Sequence, residues 1–214
     1  MKTILFALAV TFGALAATAA DFALAFDGTN DYVRVASAPE LTLSNRFTLE
    51  FWFKPTNTSQ SNAYLLSHNG LNPAGQSAVI YKFSGNAVEF YATGFSGADP
   101  RPGSAMIISD TQWHHVAYSY DGTNWNGYLD GLAVFALNRS FSLNTSPNHW
   151  FIGCASPGLN LVAGTFDEVR IWNSARSGNE IQQNMNRRLP QSKPGLVGYY
   201  KLDDGAGTIT ADSS

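Results

Sequence analysis

The stretch Phe47-Thr48-Leu49-Glu50-Phe51-Trp52-Phe53 decides the fold class of this chain. Every second position carries a large apolar side chain, and the positions between them carry Thr48, Glu50 and Trp52. Successive side chains of a β-strand point to opposite sides of a sheet, so this period of two indicates a strand with one face against a core.

Similar segments follow along the chain, with turn signals between them at intervals of about ten residues. Asp121-Gly122 and Asp130-Gly131 separate three of these segments, and Asp-Gly is a strong hairpin signal because both residues tolerate positive φ. Many short strands at this spacing predict an all-β sandwich or barrel. The further predicted strands cover residues 79–83, 88–91, 113–120, 125–129, 132–137, 149–152 and 165–172.

One short helix is predicted near the C-terminal end, from Ser177 to Leu189. Ser177 and Glu180 have the spacing of a capping box, and apolar side chains recur at every fourth position from Ile181 to Leu189. Pro190 then ends the helix, because proline cannot continue it.

Composition narrows the classes of protein to which the chain can belong. Of its 214 residues 44% are hydrophobic and only 14% are charged, and the formal net charge is −3. Globular proteins usually contain about 25% charged residues, so the charged fraction of this chain is low. No basic stripe marks a nucleic-acid surface, and the aromatic content of 13% excludes a disordered chain. A low-charge chain rich in turn residues is typical of an extracellular or surface module.

Residues 1–20 are predicted to be a signal peptide that is removed on export. Lys2 precedes an apolar run at 4–10, and small residues at 14–20 suit a cleavage site next to Ala20. The mature chain is then secreted or exposed at the cell surface, with no membrane span. It divides into a domain at 21–190 and a C-terminal strand or linker at 191–214, with Tyr199 to Leu202 extended. This tail either leads into a further domain or packs back onto the first.

Cys154 is the only cysteine, so the fold has to be held together without disulfides. Its neighbours Phe151-Ile152-Gly153 predict a small buried residue rather than a reactive thiol.

Several motifs of the sequence occur in the order known from one family: Ala25-Phe26-Asp27-Gly28-Thr29-Asn30-Asp31-Tyr32-Val33, Trp113-His114-His115-Val116-Ala117, Tyr128-Leu129-Asp130-Gly131 and Phe166-Asp167-Glu168-Val169-Arg170-Ile171-Trp172-Asn173. The chain resembles the laminin-G-like, concanavalin A-like jelly-roll family, in its bacterial secreted branch, over residues 22 to 190. The resemblance implies two antiparallel sheets packed face to face, often with one calcium ion, and it implies no particular reaction.

A calcium site is the most specific prediction made from the resemblance. Calcium takes six to eight oxygen ligands from carboxylates, amides and carbonyls. Asp27 and Asn30 lie in a tight turn around Gly28, and the resemblance places Asp167 beside that turn. These three residues are the predicted calcium ligands. Ordinary turn chemistry, in which Asp and Asn bond their own backbone, is the alternative explanation of the first two.

No catalytic residue is predicted, and the chain is therefore interpreted as a non-enzyme. The string Glu-x-Asp-x-(x)-Glu of the glycosidases that share this fold is absent. Asp167 and Glu168 are adjacent, so on a regular strand they point to opposite faces and do not form an acid/base pair. His114 and His115 face opposite ways for the same reason, which argues against zinc and for structural roles.

The favoured function is a secreted, non-catalytic module that binds carbohydrate or a surface polymer. The alternative is a structural or adhesive domain of a larger surface protein that makes protein–protein contacts, and a glycoside hydrolase comes third. Aromatic side chains stack on sugar rings, and the loops at 69–76 and 95–103 are equally open as binding surfaces. The aromatic candidates are Trp125, Tyr128, Tyr81, Tyr91 and Trp150.

Overall fold

A computed structural model describes residues 22–43, 45–68, 78–82, 86–91, 106–140, 148–204 and 209–214. Short strands are the main regular structure of this part of the chain, together with a 3-10 helix at Pro39–Leu41 and one α-helix, α1, at Gly178–Asn184. The strands are β1 Leu24–Asp27, β2 Val33–Val35, β3 Phe47–Pro55, β4 Ala63–His68, β5 Ala78–Lys82, β6 Val88–Tyr91, β7 His114–Tyr120, β8 Asn124–Leu129, β9 Leu132–Asn138, β10 Trp150–Ile152, β11 Ala163–Trp172 and β12 Leu196–Tyr200.

The strands form two antiparallel sheets. Sheet A has the order β1-β11-β3-β7-β8-β9, and β12 also pairs with β11. Sheet B has the order β2-β10-β4-β5-β6. The predicted class, an all-β sandwich of two antiparallel sheets with one short helix, is confirmed.

The core lies between the two sheets and is centred on β3. Phe47, Leu49, Phe51 and Phe53 are fully buried there, as the alternation predicts. Phe53 packs against Phe166 of β11, with ring centroids 4.8 Å apart. Burying one such side chain contributes about 1.5–3 kcal/mol, so the inner face of β3 is a large part of what holds the sheets together.

The outer face of β3 is also buried. Thr48 and Glu50 have at most 1% of their surface exposed, because α1 and the segments on either side of it cover this face. The Thr48 hydroxyl donates to the Ser174 carbonyl at 3.0 Å and accepts from the Arg176 N–H at 2.8 Å. These bonds fix the segment that leads into α1.

The helix begins as predicted and ends earlier than predicted. The Ser177–Glu180 capping box is present, but α1 ends at Asn184 instead of Leu189. The buried Arg170 guanidinium donates to the carbonyls of Asn184 at 3.1 Å and Arg187 at 2.7 Å, and so takes up acceptors at the C-terminal end of the helix.

β11 contains a bulge that changes where its side chains point. Its register with β3 shifts between Asp167 and Arg170, and Glu168 has a φ of 52°. Phe166 and Val169 both belong to the core, so the two residues between them lie on the outer side. The prediction that Asp167 and Glu168 point to opposite faces is therefore wrong, because the strand is irregular at this place.

The C-terminal segment is part of the sandwich. β12 pairs with β11 from Val169 to Trp172, beyond the bulge, and the Ser213 N–H donates to the Tyr199 carbonyl at 2.8 Å. The extended segment predicted at Tyr199 to Leu202 starts earlier than expected, at Leu196, and its strand ends at Tyr200. The domain boundary predicted at 190 stays a prediction. A further domain beyond it stays a prediction.

The structure also bears on the predicted burial of Cys154 and on the predicted absence of a membrane span. Cys154 is fully buried as predicted, and burial raises the pKa of its thiol to about 12. In the part of the chain that the structure describes, no helix has the length and apolar character needed to cross a bilayer. The predicted signal peptide lies outside the described residues.

Burial of His68 predicts a pH-dependent stability. His68 is stacked on Trp150 at 4.6 Å, its Nε2 donates to the Asn148 carbonyl at 3.1 Å, and burial lowers its pKa from 6.5 to about 4. Between these two pKa values the unfolded chain binds the proton better, so the free energy of unfolding falls as the pH falls. We expect a loss of about 2–3 kcal/mol between pH 7 and pH 4.5 from this residue alone, measured by urea unfolding.

The variant His68→Phe keeps an aromatic ring against Trp150 and removes the titrating group. Its stability should fall less steeply over the same pH range than that of the wild type. Equal slopes for the two proteins would show that His68 does not determine this pH dependence.

Candidate functional site

Two concave regions of the described surface are large enough to hold a small ligand. The smaller, which we name the α1 cleft, has a volume of about 340 Å³ and lies on the outer face of sheet A beside the end of α1. The larger, which we name the edge cavity, has a volume of about 910 Å³ and lies where β1 and β2 form the edges of the two sheets. The α1 cleft is lined by Trp52, Trp113, Asp167, Glu168, Met185, Asn186, Arg187 and Arg188.

Two tryptophans give the α1 cleft its aromatic surface. Trp52 is on the outer face of β3, where its Nε1 donates to the Met185 carbonyl at 2.8 Å and its ring lies 5.3 Å from that of His115. Trp113, immediately before β7, has 38% of its surface exposed. The first indole is therefore held in place, and the second is open to solvent.

Two carboxylates from the bulge of β11 line the same cleft. The Glu168 N–H donates to Asp167 Oδ1 at 2.8 Å. Glu168 Oε2 accepts a hydrogen bond from the Tyr199 hydroxyl at 2.6 Å and forms an ion pair with Arg170. The buried side chains of Tyr199 and Arg170 thus fix the position of Glu168 in the cleft.

Arg170 is the centre of a buried polar network beneath the cleft. Its guanidinium lies 3.6 Å from Glu50 Oε1, which also accepts from Trp172 Nε1 at 2.8 Å. Burial raises the pKa of Glu50, although the Arg170 charge opposes the change. His115 Nε2 lies 3.5 Å from Glu50 Oε2, and burial lowers the pKa of His115 to about 3, so the ring is neutral at ordinary pH.

The remaining wall of the cleft is the segment that follows α1. Arg188 forms an ion pair with Asp203 at 2.8 Å, and the Arg187 side chain is exposed. Indole faces next to carboxylate and guanidinium groups provide what a sugar ring needs, namely a flat apolar surface and hydrogen-bonding partners for hydroxyls.

The edge cavity has a different lining. Its exposed aromatic residues are Phe22 and Tyr32, and the Tyr32 ring lies 6.3 Å from that of Phe151. Arg34 lines it from β2 and Asp212 from the C-terminal segment. The cavity has apolar walls with a few charged groups, which makes it the second place where a ligand would fit.

The predicted calcium ligands are placed in two separate regions. The Asp27 carboxylate is engaged in its own turn, where it accepts from the Thr29 hydroxyl at 2.6 Å and from the Thr29 N–H at 2.7 Å. The Thr29 hydroxyl is the main cause of a lowered pKa of Asp27. Asn30 lines the edge cavity, whereas Asp167 lines the α1 cleft.

The register shows how far apart these residues are. Asp27 lies opposite Ala163 on β11, and Asp167 is four positions further along the same strand, a distance of about 13 Å. Among the described residues no group of three or more His, Cys, Asp or Glu is arranged to hold a metal ion. The turn at Asp27 and the carboxylate of Asp167 thus do not form a shared ligand set, which argues against the predicted three-residue site and does not itself test whether the protein binds calcium.

The aromatic residues proposed from the sequence as sugar platforms are mostly in the interior. Trp125 and Trp150 are fully buried, and Tyr128 is 8% exposed beneath α1. The side chains of Tyr81 and Tyr91 and the loops at 69–76 and 95–103 lie outside what the structure describes.

His114 and His115 are each in contact with neighbouring side chains. His114 lies between Asp110 at 3.0 Å and Asp130 at 2.9 Å. Burial alone would lower its pKa, but the hydrogen bonds to these two carboxylates raise it. His115 is buried on the outer face of sheet A beside Trp52 and not on the core side with Val116.

Sequence reasoning did not identify Trp52, Trp113 and Glu168 as site residues. Trp52 had one usable signal, since it stands on the polar side of the alternating pattern in β3, where a tryptophan needs a covering group. Trp113 and Glu168 had none, because their proximity depends on strand pairing and on the bulge.

Comparison with solved structures finds the same fold in proteins of low sequence identity. A candidate carbohydrate-binding protein of Bacteroides ovatus superposes with a TM-score of 0.67 at 19% identity, over 89% of this chain and 56% of that one. Domain 4 of AbnA, a GH43 extracellular arabinanase of Geobacillus stearothermophilus in complex with arabinotriose, superposes with a TM-score of 0.60 at 20% identity, over 77% and 78% of the two chains.

A third structure is the CBM40 of the Ruminococcus gnavus IT-sialidase bound to α2,3-sialyllactose. Its TM-score is 0.58 at 13% identity, over 75% of this chain and 95% of that one. This chain thus spans little more than half of the Bacteroides protein and most of the other two. Among curated proteins no sequence matches.

The family model for laminin-G-like domains of the concanavalin A-like lectin/glucanase superfamily matches residues 27–182, which is most of the chain. The two antiparallel sheets, the single short helix and this match agree, and the chain belongs to the concanavalin A-like lectin/glucanase superfamily.

Proposed function

We propose that this protein is a secreted carbohydrate-binding module that holds a short stretch of glycan in the α1 cleft. The observation that carries the proposal is the exposed indole of Trp113 beside Trp52, next to the carboxylates of Asp167 and Glu168. The volume of about 340 Å³ lies at the lower end of the range for ligand sites, which suits one or two sugar rings.

The physical argument starts from the two faces of a sugar ring. Its C–H groups pack against an indole, and its hydroxyls donate hydrogen bonds to carboxylates. Trp52 is fixed by its bond to the Met185 carbonyl, so this part of the cleft is ordered before a ligand arrives. A preformed site loses less conformational entropy when it binds.

The structural neighbours support the ligand class without identifying the ligand. Arabinotriose and sialyllactose are bound by neighbours that share the fold at 20% and 13% identity. Those two sugars differ in charge and ring form, so we take from them carbohydrate as a class. The predicted signal peptide supports export.

The surroundings of Glu168 in the β11 bulge favour sugar binding over sugar hydrolysis. A retaining glycosidase needs two carboxyl groups about 5–5.5 Å apart that are free to donate a proton and to attack. Glu168 Oε2 is already occupied by the Tyr199 hydroxyl and by Arg170. We therefore propose a non-catalytic module, and an adhesive domain that makes protein contacts remains the alternative.

Two single variants test the location of the site. Trp113 and Tyr32 are equally exposed, at 38% and 37%, and line the α1 cleft and the edge cavity respectively. The ligand is a polysaccharide that retards the wild-type protein in affinity electrophoresis. We expect Trp113→Ala to bind this polysaccharide tenfold or more weakly, since one aromatic contact is worth about 1.5 kcal/mol. Tyr32→Ala is the matched control and should bind like the wild type.

The opposite pattern would place the site in the edge cavity. A wild-type protein that retains no polysaccharide from a panel of neutral and acidic glycans would contradict the proposal and favour the adhesive alternative. Release of reducing ends by purified protein, lost in Glu168→Gln, would show a hydrolase.

The calcium ion implied by the family resemblance needs its own test. If an ion bound the predicted set at a hundredfold excess over its Kd, it would add about 2.7 kcal/mol of stability, or roughly 5–10 °C in Tm for a chain of this length. Because the Asp27 carboxylate is engaged by Thr29 and Asp167 lies in another cleft, we expect equal melting temperatures in EDTA and in millimolar calcium.

A calcium-dependent rise in Tm that is lost in Asp167→Ala would restore the three-residue set. A rise lost in Asp27→Ala and retained in Asp167→Ala would place an ion on the turn alone.

A further inference from the structure

The support of the α1 cleft extends beyond the region that the family model matches. That match ends at residue 182. The cleft wall is formed by residues 185–188, and the residue that ties the wall to the floor, Tyr199, lies on β12.

Tyr199 joins two sides of the cleft through one hydroxyl group. Its side chain is fully buried next to Trp172, Leu189 and Leu196. The hydroxyl donates to Glu168 Oε2 at 2.6 Å and accepts from the Leu189 N–H at 3.3 Å. Glu168 belongs to the floor of the cleft, and Leu189 directly follows its wall.

The floor needs such a contact because its backbone is in an unfavourable region. Glu168 has a φ of 52°, which costs a residue with a β-carbon about 1 kcal/mol or more, so contacts from the surroundings have to offset this cost. Two groups hold its side chain, the Tyr199 hydroxyl and the Arg170 guanidinium. Arg170 in turn donates to the Arg187 carbonyl in the wall at 2.7 Å, so the two contacts act on the same pair of elements.

We infer that Tyr199 is a positioning residue for the α1 cleft, and that β12 is therefore a structural part of the ligand site. The effect on glycan affinity rests on the proposed function; the effect on the cleft itself does not. The C-terminal strand and the cleft then form and loosen together, although they are separate in the sequence.

The next residue along the strand offers a matched control. Tyr200 is also buried on β12, and its hydroxyl also binds a carboxylate, Asp212 Oδ2 at 3.2 Å. It lines the edge cavity and not the α1 cleft. Tyr199→Phe and Tyr200→Phe each remove one oxygen and keep the ring, so both full-length variants retain their apolar packing.

Amide hydrogen exchange measures the positioning without any ligand. In Tyr199→Phe the Leu189 N–H loses its acceptor, and we expect faster exchange there and along residues 185–189, with little change elsewhere. In Tyr200→Phe this segment should exchange as in the wild type. Equal exchange at Leu189 in wild type and Tyr199→Phe would overturn the inference.

Glycan affinity is the second readout. We expect Tyr199→Phe to bind the retained polysaccharide about tenfold more weakly, the size expected for loss of one hydrogen bond to a charged group, and Tyr200→Phe to bind normally. A purely structural role would lower Tm in both variants and leave the affinity unchanged, which would also overturn the inference. Absence of glycan binding in the wild type would contradict the proposed function, and the exchange experiment would still decide the role of Tyr199.

Discussion

The buried guanidinium of Arg170 is the group around which the outer face of sheet A is organised. A cation without water is stable only where carboxylates and carbonyl oxygens replace its hydration, because the effective desolvation penalty is several kcal/mol. Glu50, Glu168 and the carbonyls of Asn184 and Arg187 supply these oxygens to the two terminal nitrogens of Arg170, whereas its Nε–H has no hydrogen-bond partner among the described residues. The bulge of β11 and the early end of α1 both bring acceptors to this one side chain.

The sequence predicts those features of the fold that depend only on residues close together in the chain. The alternation in β3, the Asp130-Gly131 turn with positive φ at both positions, and the Ser177–Glu180 capping box are local, and the structure has all three. β4 was missed because its bulge between Tyr64 and Leu66 interrupts the period of two. Local pattern carries no information about a register shift that a partner strand imposes.

The candidate site was not predictable for a related reason. Glu168 has a positive φ, a conformation in which Gly or Asn is usual. Because neither residue is present at this position, the sequence contains no signal for a bulge. The helix end is set by Arg170, which precedes the helix, and not by Pro190 or by the apolar stripe. The cleft also combines residues from β3, β11, the position just before β7 and the segment after α1, and only the strand order brings these together.

The same contacts that order the cleft also bear on its chemistry. A carboxylate that catalyses has to exchange a proton or attack carbon, and both need an oxygen that is free to change partners. Glu168 Oε2 is bound by the Tyr199 hydroxyl and by Arg170, and that binding keeps a strained backbone in place. Using Oε2 for reaction would break these contacts and loosen the floor of the cleft. A rigid bulge in this position therefore suits the proposed binding role, even though it brings two acidic side chains to one cleft.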